Sequence, residues 1–134
     1  MTSLSEAART YIGVPFKHQG RTRAGLDCAG LVIAAVSDTG RNLIDARTGY
    51  GRLPSNGILE DTLSMTKDLV RMPKNTELEK DDILAFRFTD EPQHLAIYTG
   101  ESLIHSITSV GKVAEHKFVG FWKKRVAAVY RFVK

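Results

Sequence analysis

One cysteine and two histidines carry the chemistry that this sequence offers. Cys28, the only cysteine, stands in "GLDCAGLV", directly after an aspartate and before a run of small and aliphatic residues. Asp27 is a competent N-cap, so the pattern puts Cys28 in the first turn of a helix. There, unpaired backbone N–H groups and the positive end of the helix dipole stabilise a thiolate. The histidines lie in "HLAIYTGESLIHSIT", a hairpin turning at Gly100 and Glu101. Pairing Thr99 with Ser102, or Tyr98 with Leu103 across a four-residue loop, sets His105 opposite Ala96. His94 then shares that face, diagonally adjacent at about 7–8 Å. A three-residue loop would shift the register and separate them. Cys28, His94 and His105 thus read as a nucleophile, a general base and the group that orients the base. Helix start and imidazole together predict a reactive thiol with a pKa well below the roughly 8.5 of free cysteine.

Few elements are needed to position them. "TSLSEAARTYIG" has Ser3 three residues before Glu6, a capping-box spacing, and predicts a short helix from Leu4 to Tyr11. "KHQGRTRAGLD" is a polar, glycine-bearing loop, and "DCAGLVIAAVSDTG" a helix with Leu31, Val32, Ala35 and Val36 on its apolar stripe and Gly40 as its stop. Gly30 lies one turn into that helix, where glycine costs about 1 kcal/mol unless something must approach closely. After the irregular "LIDARTGYGRLP", "SNGILEDTLSMTKDLVRMP" repeats a helical pattern through Leu59, Leu63 and Val70. From Asp82 the period becomes two. "DILAFRF", "HLAIYTG", "SLIHSIT", "KVAEHKF" and "RVAAVYRFV" read as five short strands. Helices followed by strands predict an α+β fold, N-terminal helices packed on an antiparallel sheet, with the Cys28 helix on the sheet's edge.

Composition bounds the rest. The chain has 134 residues, 43% hydrophobic and 25% charged, with net charge +4. This fits one globular domain over residues 1–134. One cysteine leaves no intramolecular disulfide. No apolar run approaches the roughly 18 residues of a membrane span. "MTSLSEAART" lacks the basic-then-apolar order of a signal peptide, which predicts cytoplasmic synthesis without an export signal. The cations are clustered at Lys123, Lys124 and Arg125, not strung along a stripe with interleaved aromatics, so nucleic acid is not an expected partner.

"YIGVPFKHQGRTRAGLDCAGLV", "DDILAFRF", "HLAIYTG" and "LIHS" occur in order between Tyr11 and Ser106. In this the chain resembles the NlpC-type peptidoglycan endopeptidases, papain-like cysteine peptidases that cleave cell-wall stem peptides. The resemblance implies a papain-like fold with a five- to six-stranded central sheet and no metal or organic cofactor. It also implies Cys28 as nucleophile, His94 as base and His105 as the third polar residue. "HQG" after "PF" is most similar to the phage-tail and gene-transfer-agent branch. That implies a virion tail location, tail proteins as partners, and local opening of the wall during genome entry. Phe16 stands where many relatives carry a tyrosine, with Lys17 and His18 nearby, and Asp81-Asp82 where many carry Gly-Asp.

Substrate contacts are expected from Phe16, His18, Arg21, Arg23 and Asp27, the arginines offering bidentate forks to the carboxylates of a stem peptide. Solvated cations that keep the loop soluble are the plainer reading. His116 reads as a surface residue, and Phe121 and Trp122 as packing. His94, His105 and His116 recur every eleven residues and with Cys28 could make a zinc set, but no HExxH or CxxC supports it. Two other functions compete: an inactive tail-tip assembly protein on this fold, and a thiol amidase or acyltransferase of the same superfamily.

Overall fold

In the computed structural model, which describes residues 2–43, 63–88 and 92–133, Ser3 closes the capping box. Its hydroxyl accepts the Glu6 N–H at 3.1 Å while the Glu6 carboxylate accepts the Ser3 N–H at 2.9 Å. Helix α1 spans Leu4–Arg9, two residues shorter than expected. The chain turns after Thr10, and Tyr11 instead donates its hydroxyl to Asp38 at 2.7 Å, tying α1 to the next helix. That helix, α2 (Cys28–Asp38), starts at Asp27 as its sequence requires. It stops before Gly40, which takes the left-handed φ of +88°. Between them, β1 (Arg21–Thr22) and β2 (Gly25–Leu26) form a minimal hairpin inside the polar loop.

All five expected strands form: β4 (Ile83–Arg87), β5 (Pro92–Tyr98), β6 (Ser102–Ile107), β7 (Lys112–Lys117) and β8 (Val126–Phe132). A sixth, β3 (Leu69–Arg71), replaces the end of the helix expected through Val70. The helical run ends at Ser64, and Asp68, at φ +64°, closes the turn that leads into the strand. Leu69, Val70 and Arg71 then pair with Phe132, Arg131 and Tyr130. The earlier part of that expected helix, and most of "LIDARTGYGRLP", lie outside the described residues. The sheet is antiparallel throughout, in the order β3-β8-β4-β5-β6-β7. A one-turn helix, α3 (Gly120–Lys123), links β7 to β8.

Period-two alternation gives the sheet two apolar faces. Ile83, Ala85, Leu95, Ile97 and Ile104 pack with α1 and α2. Leu84, Phe86, Ala96 and Leu103 form the other face, under Phe118 and Trp122. Helix α2 therefore lies across β5 and β6 on the first face, not along the sheet's edge. Asp81 holds φ +77° just before β4, a conformation that favours glycine. Its carboxylate accepts the Ser5 N–H at 2.8 Å and the Ser5 hydroxyl at 2.6 Å, anchoring α1 to the sheet.

Candidate active site

Asp27 organises the start of α2. One carboxylate oxygen accepts the Gly30 N–H at 2.7 Å and the Arg21 guanidinium at 2.9 Å, and the other accepts the Gln19 N–H at 3.0 Å. Gly30 answers to a close approach. A Cβ there would meet the Gly20 carbonyl oxygen at 2.0 Å, so only glycine lets the loop lie on the helix. These contacts hold Cys28 as the first helical residue, 7% exposed.

The sulfur meets β5 through its backbone. Tyr98 N–H points to β4, donating to Asp82 O at 2.9 Å. Alternation therefore turns the Ile97 and Leu95 N–H groups toward β6. The ladder with β6 is paired at Tyr98–Leu103 and Ile97–Ile104 and goes no further. The Leu95 N–H, next in line, is turned instead onto the Cys28 sulfur. Burial, with the Asp27 carboxylate adding to it, pushes the thiol up to about 12. The Leu95 and Ala29 N–H groups and the Arg21 cation pull the other way and are outweighed. This reverses the low pKa expected from the sequence: the helix start is present, but the sulfur is shut from water, so the resting group is a neutral thiol.

The β5–β6 register is the one expected, and His94 and His105 meet, His94 Nε2 lying 2.7 Å from His105 Nδ1. Both are buried, at 6% and 0% exposure. Burial holds His94 down to about 3 and His105 down to about 2, with the neighbouring imidazoles adding to the effect. His116 departs from its expected surface role. β6 and β7 pair with His105 opposite Ala114 and Leu103 opposite His116, which puts His116 diagonal to His105 on the same face. Their Nε2 atoms are 2.6 Å apart, and His116 Nδ1 lies 2.9 Å from Lys117 O. Trp122 covers the whole row, its ring 5.9 Å from His94, 4.9 Å from His105 and 5.5 Å from His116. The packing expected of Trp122 is thus packing on the site, while Phe121 is half exposed. The histidines face one another in series. A zinc cage needs nitrogens converging about 2.0–2.1 Å from one point, and His105 spends both of its nitrogens on its neighbours.

The expected substrate contacts divide. Arg21 is only 8% exposed along its side chain, paired with Asp27 and donating to Gly20 O at 2.9 Å. It braces the loop and does not offer an open fork. Arg23 is exposed, donates to Thr10 O at 2.9 Å and stacks on Tyr11 with its guanidinium 4.1 Å from the ring centre. Asp27 is the cap and the loop's anchor, buried at 4% exposure. Phe16 and His18 are half-buried in the loop, Phe16 bridging to Leu26. A groove of about 1030 Å³ lies on the second face, lined by Arg71, Lys74, Arg87, Lys123 and Arg125 among others. It excludes Cys28 and the histidines, though Phe88 on its wall lies 6.1 Å from His94.

The model of the NlpC/P60 family matches residues 13–131. Among solved structures, the NlpC/p60 domain of the peptidoglycan hydrolase SagA has a TM-score of 0.65 at 18% identity, over 96% of this chain and 96% of that one. An NlpC/P60 family protein from Bacillus cereus gives 0.71 at 19% identity, over 98% of this chain and 40% of that one. The peptidoglycan hydrolase RipB from Mycobacterium tuberculosis gives 0.68 at 20%, over 98% and 63%. This chain spans less than two thirds of the last two. At these identities the likeness concerns the fold: helices on an antiparallel six-stranded sheet.

Proposed function

This chain belongs to the NlpC/P60 family, and from that premise we propose that it is a cysteine peptidase hydrolysing an amide in peptidoglycan stem peptides, between a D-residue and a dibasic residue. The observation that carries the reading is the helix-start cysteine, its sulfur under the N–H of Leu95, the residue that follows a buried His94 hydrogen-bonded to His105. In the resting site both the thiol and the imidazole are neutral. Substrate binding brings the step in which the Cys28 proton passes to His94 and the thiolate adds to the scissile carbonyl. The oxyanion is met by the Cys28 backbone N–H at the helix start. His94 returns the proton to the leaving amine, then takes one from the water that releases the acyl group and passes it to the departing Cys28 sulfur, restoring the neutral pair.

The "HQG" stretch supports placing the enzyme in a phage tail, with tail proteins as partners, acting on the wall as the genome enters. Incubation with purified sacculi and mass spectrometry of the released peptides tests the reading, with Cys28→Ala as the blank. Release that depends on Cys28 and is indifferent to EDTA is expected. Zinc-restored activity would favour the metal reading, and no release at all would favour an inactive tail-tip protein.

A further inference from the structure

Resting on the peptidase reading above, we propose that His116 is a positioning residue that sets, through His105, which nitrogen of His94 is free to take the Cys28 proton. The row is fixed from its far end. Lys117 O can only accept, so the His116 Nδ1 at 2.9 Å is the protonated one. In neutral His116 the lone pair is then on Nε2, and the 2.6 Å contact requires His105 Nε2–H to donate to it. That leaves the lone pair of His105 on Nδ1, where it accepts from His94 Nε2–H at 2.7 Å. His94 Nδ1 is thereby the unprotonated atom, the one nitrogen of the row not turned toward another imidazole or Lys117 O. One backbone carbonyl on an outer strand thus fixes three tautomers in sequence. When His94 accepts the thiol proton at Nδ1, its Nε2–H keeps its acceptor, and the new cation is met by a row already pointing the right way. Without His116, His105 is free to take the other tautomer. It would then donate from Nδ1 and force the His94 proton onto Nδ1, the atom that must act as base.

Long-range ¹H–¹⁵N spectra of the ¹⁵N-histidine-labelled protein read this directly and need no substrate. Protons on Nε2 of His94 and His105 and on Nδ1 of His116 are expected. A proton on Nε2 of neutral His116, or on Nδ1 of His94, overturns the proposal. His116→Phe should convert His94 to a tautomer mixture and lower kcat on a released wall peptide on the order of tenfold, with KM within about twofold. His116→Gln, whose amide oxygen can accept the His105 proton, should restore both. A His116→Phe protein with the wild-type His94 tautomer and kcat overturns the role. If that variant does not fold, the wild-type spectrum and the Gln variant decide. A wild type inert on sacculi but showing the expected tautomers would sink the peptidase reading and leave the tautomer relay standing.

Discussion

The ion pair between Arg21 and Asp27 should behave as a buried unit whose halves act oppositely on Cys28. Their contact is 2.9 Å, with side chains only 8% and 6% exposed. Removing one member of such a pair strands the other charge and costs about 3–5 kcal/mol. Asp27→Asn keeps a side-chain oxygen to cap α2, so its loss should come from the stranded arginine and not from the cap, itself worth about 1 kcal/mol. Arg21→Met strands the carboxylate, which still accepts the Gly30 and Gln19 N–H groups, so about 3 kcal/mol is expected. The double variant removes both charges of this contact together, but it also loses the Arg21 bond to Gly20 O and the charged acceptor of the Gly30 and Gln19 N–H groups. Its loss should fall short of the sum of the singles by roughly 2 kcal/mol, within the range for directly contacting residues. Urea unfolding of the four proteins measures this. The thiol supplies an independent sign, because Asp27 raises it and Arg21 lowers it. At one high pH under native conditions, Asp27→Asn should be alkylated faster than wild type and Arg21→Met slower, although both are destabilised. Losses additive to within about 0.5 kcal/mol, or alkylation shifted the same way in both variants, would refute the reasoning.

Three further outcomes are expected. With its thiol pushed up to about 12, Cys28 should react with iodoacetamide slowly at neutral pH and ever faster beyond pH 9; fast, pH-independent labelling from mildly acid pH would mean a resting thiolate. His94 and His105 are held down to about 3 and about 2, below the ordinary value near 6.5, so acid protonates the unfolded chain first. Stability present above about pH 6.5 should therefore fall as the pH drops toward 3, at a slope approaching 2.7 kcal/mol per pH unit for the two groups, and His105→Ala should about halve that slope in chemical unfolding. In the sacculus assay His94→Ala should abolish release and His105→Ala should only reduce it; equal mild losses would dissolve the division between base and orienter.

What the sequence made legible was local or periodic. The Ser3–Glu6 capping box, the Asp27 cap and five alternating runs each specify their element without help from the rest of the chain. β3 was hidden because Leu63 and Val70, seven residues apart, suit a helix face. What makes Leu69–Arg71 a strand is distant: the edge of β8 supplying its hydrogen bonds. The inward turn of Arg21 was hidden for a related reason. Charge in a loop looks solvent-facing in one dimension, and only the packing of Gly20 against Gly30 turns Arg21 inward onto Asp27. The thiol's raised pKa was likewise beyond reach, since the helix start is visible in "DCAG" and the depth of its burial is not.

His116 is different, because its place could have been found. A hairpin register alone brings His94 and His105 together, and "SLIHSITSVGKVAEHK" holds a second hairpin. A four-residue loop from Thr108 to Gly111, with Gly111 at φ +84°, pairs Ile107 with Lys112 and so sets His105 opposite Ala114. His116 is two residues beyond, as His94 is two residues before Ala96. The eleven-residue spacing that suggested a metal set is therefore one diagonal step taken twice across three neighbouring strands. A straight diagonal brings each imidazole edge to the next at 2.7 and 2.6 Å. It leaves the inner end buried at His94 and the outer end on a backbone carbonyl. A row with two such different ends has a direction, and a direction is what a base needs if its lone pair is to be on the one nitrogen that neither a neighbouring imidazole nor Lys117 O takes.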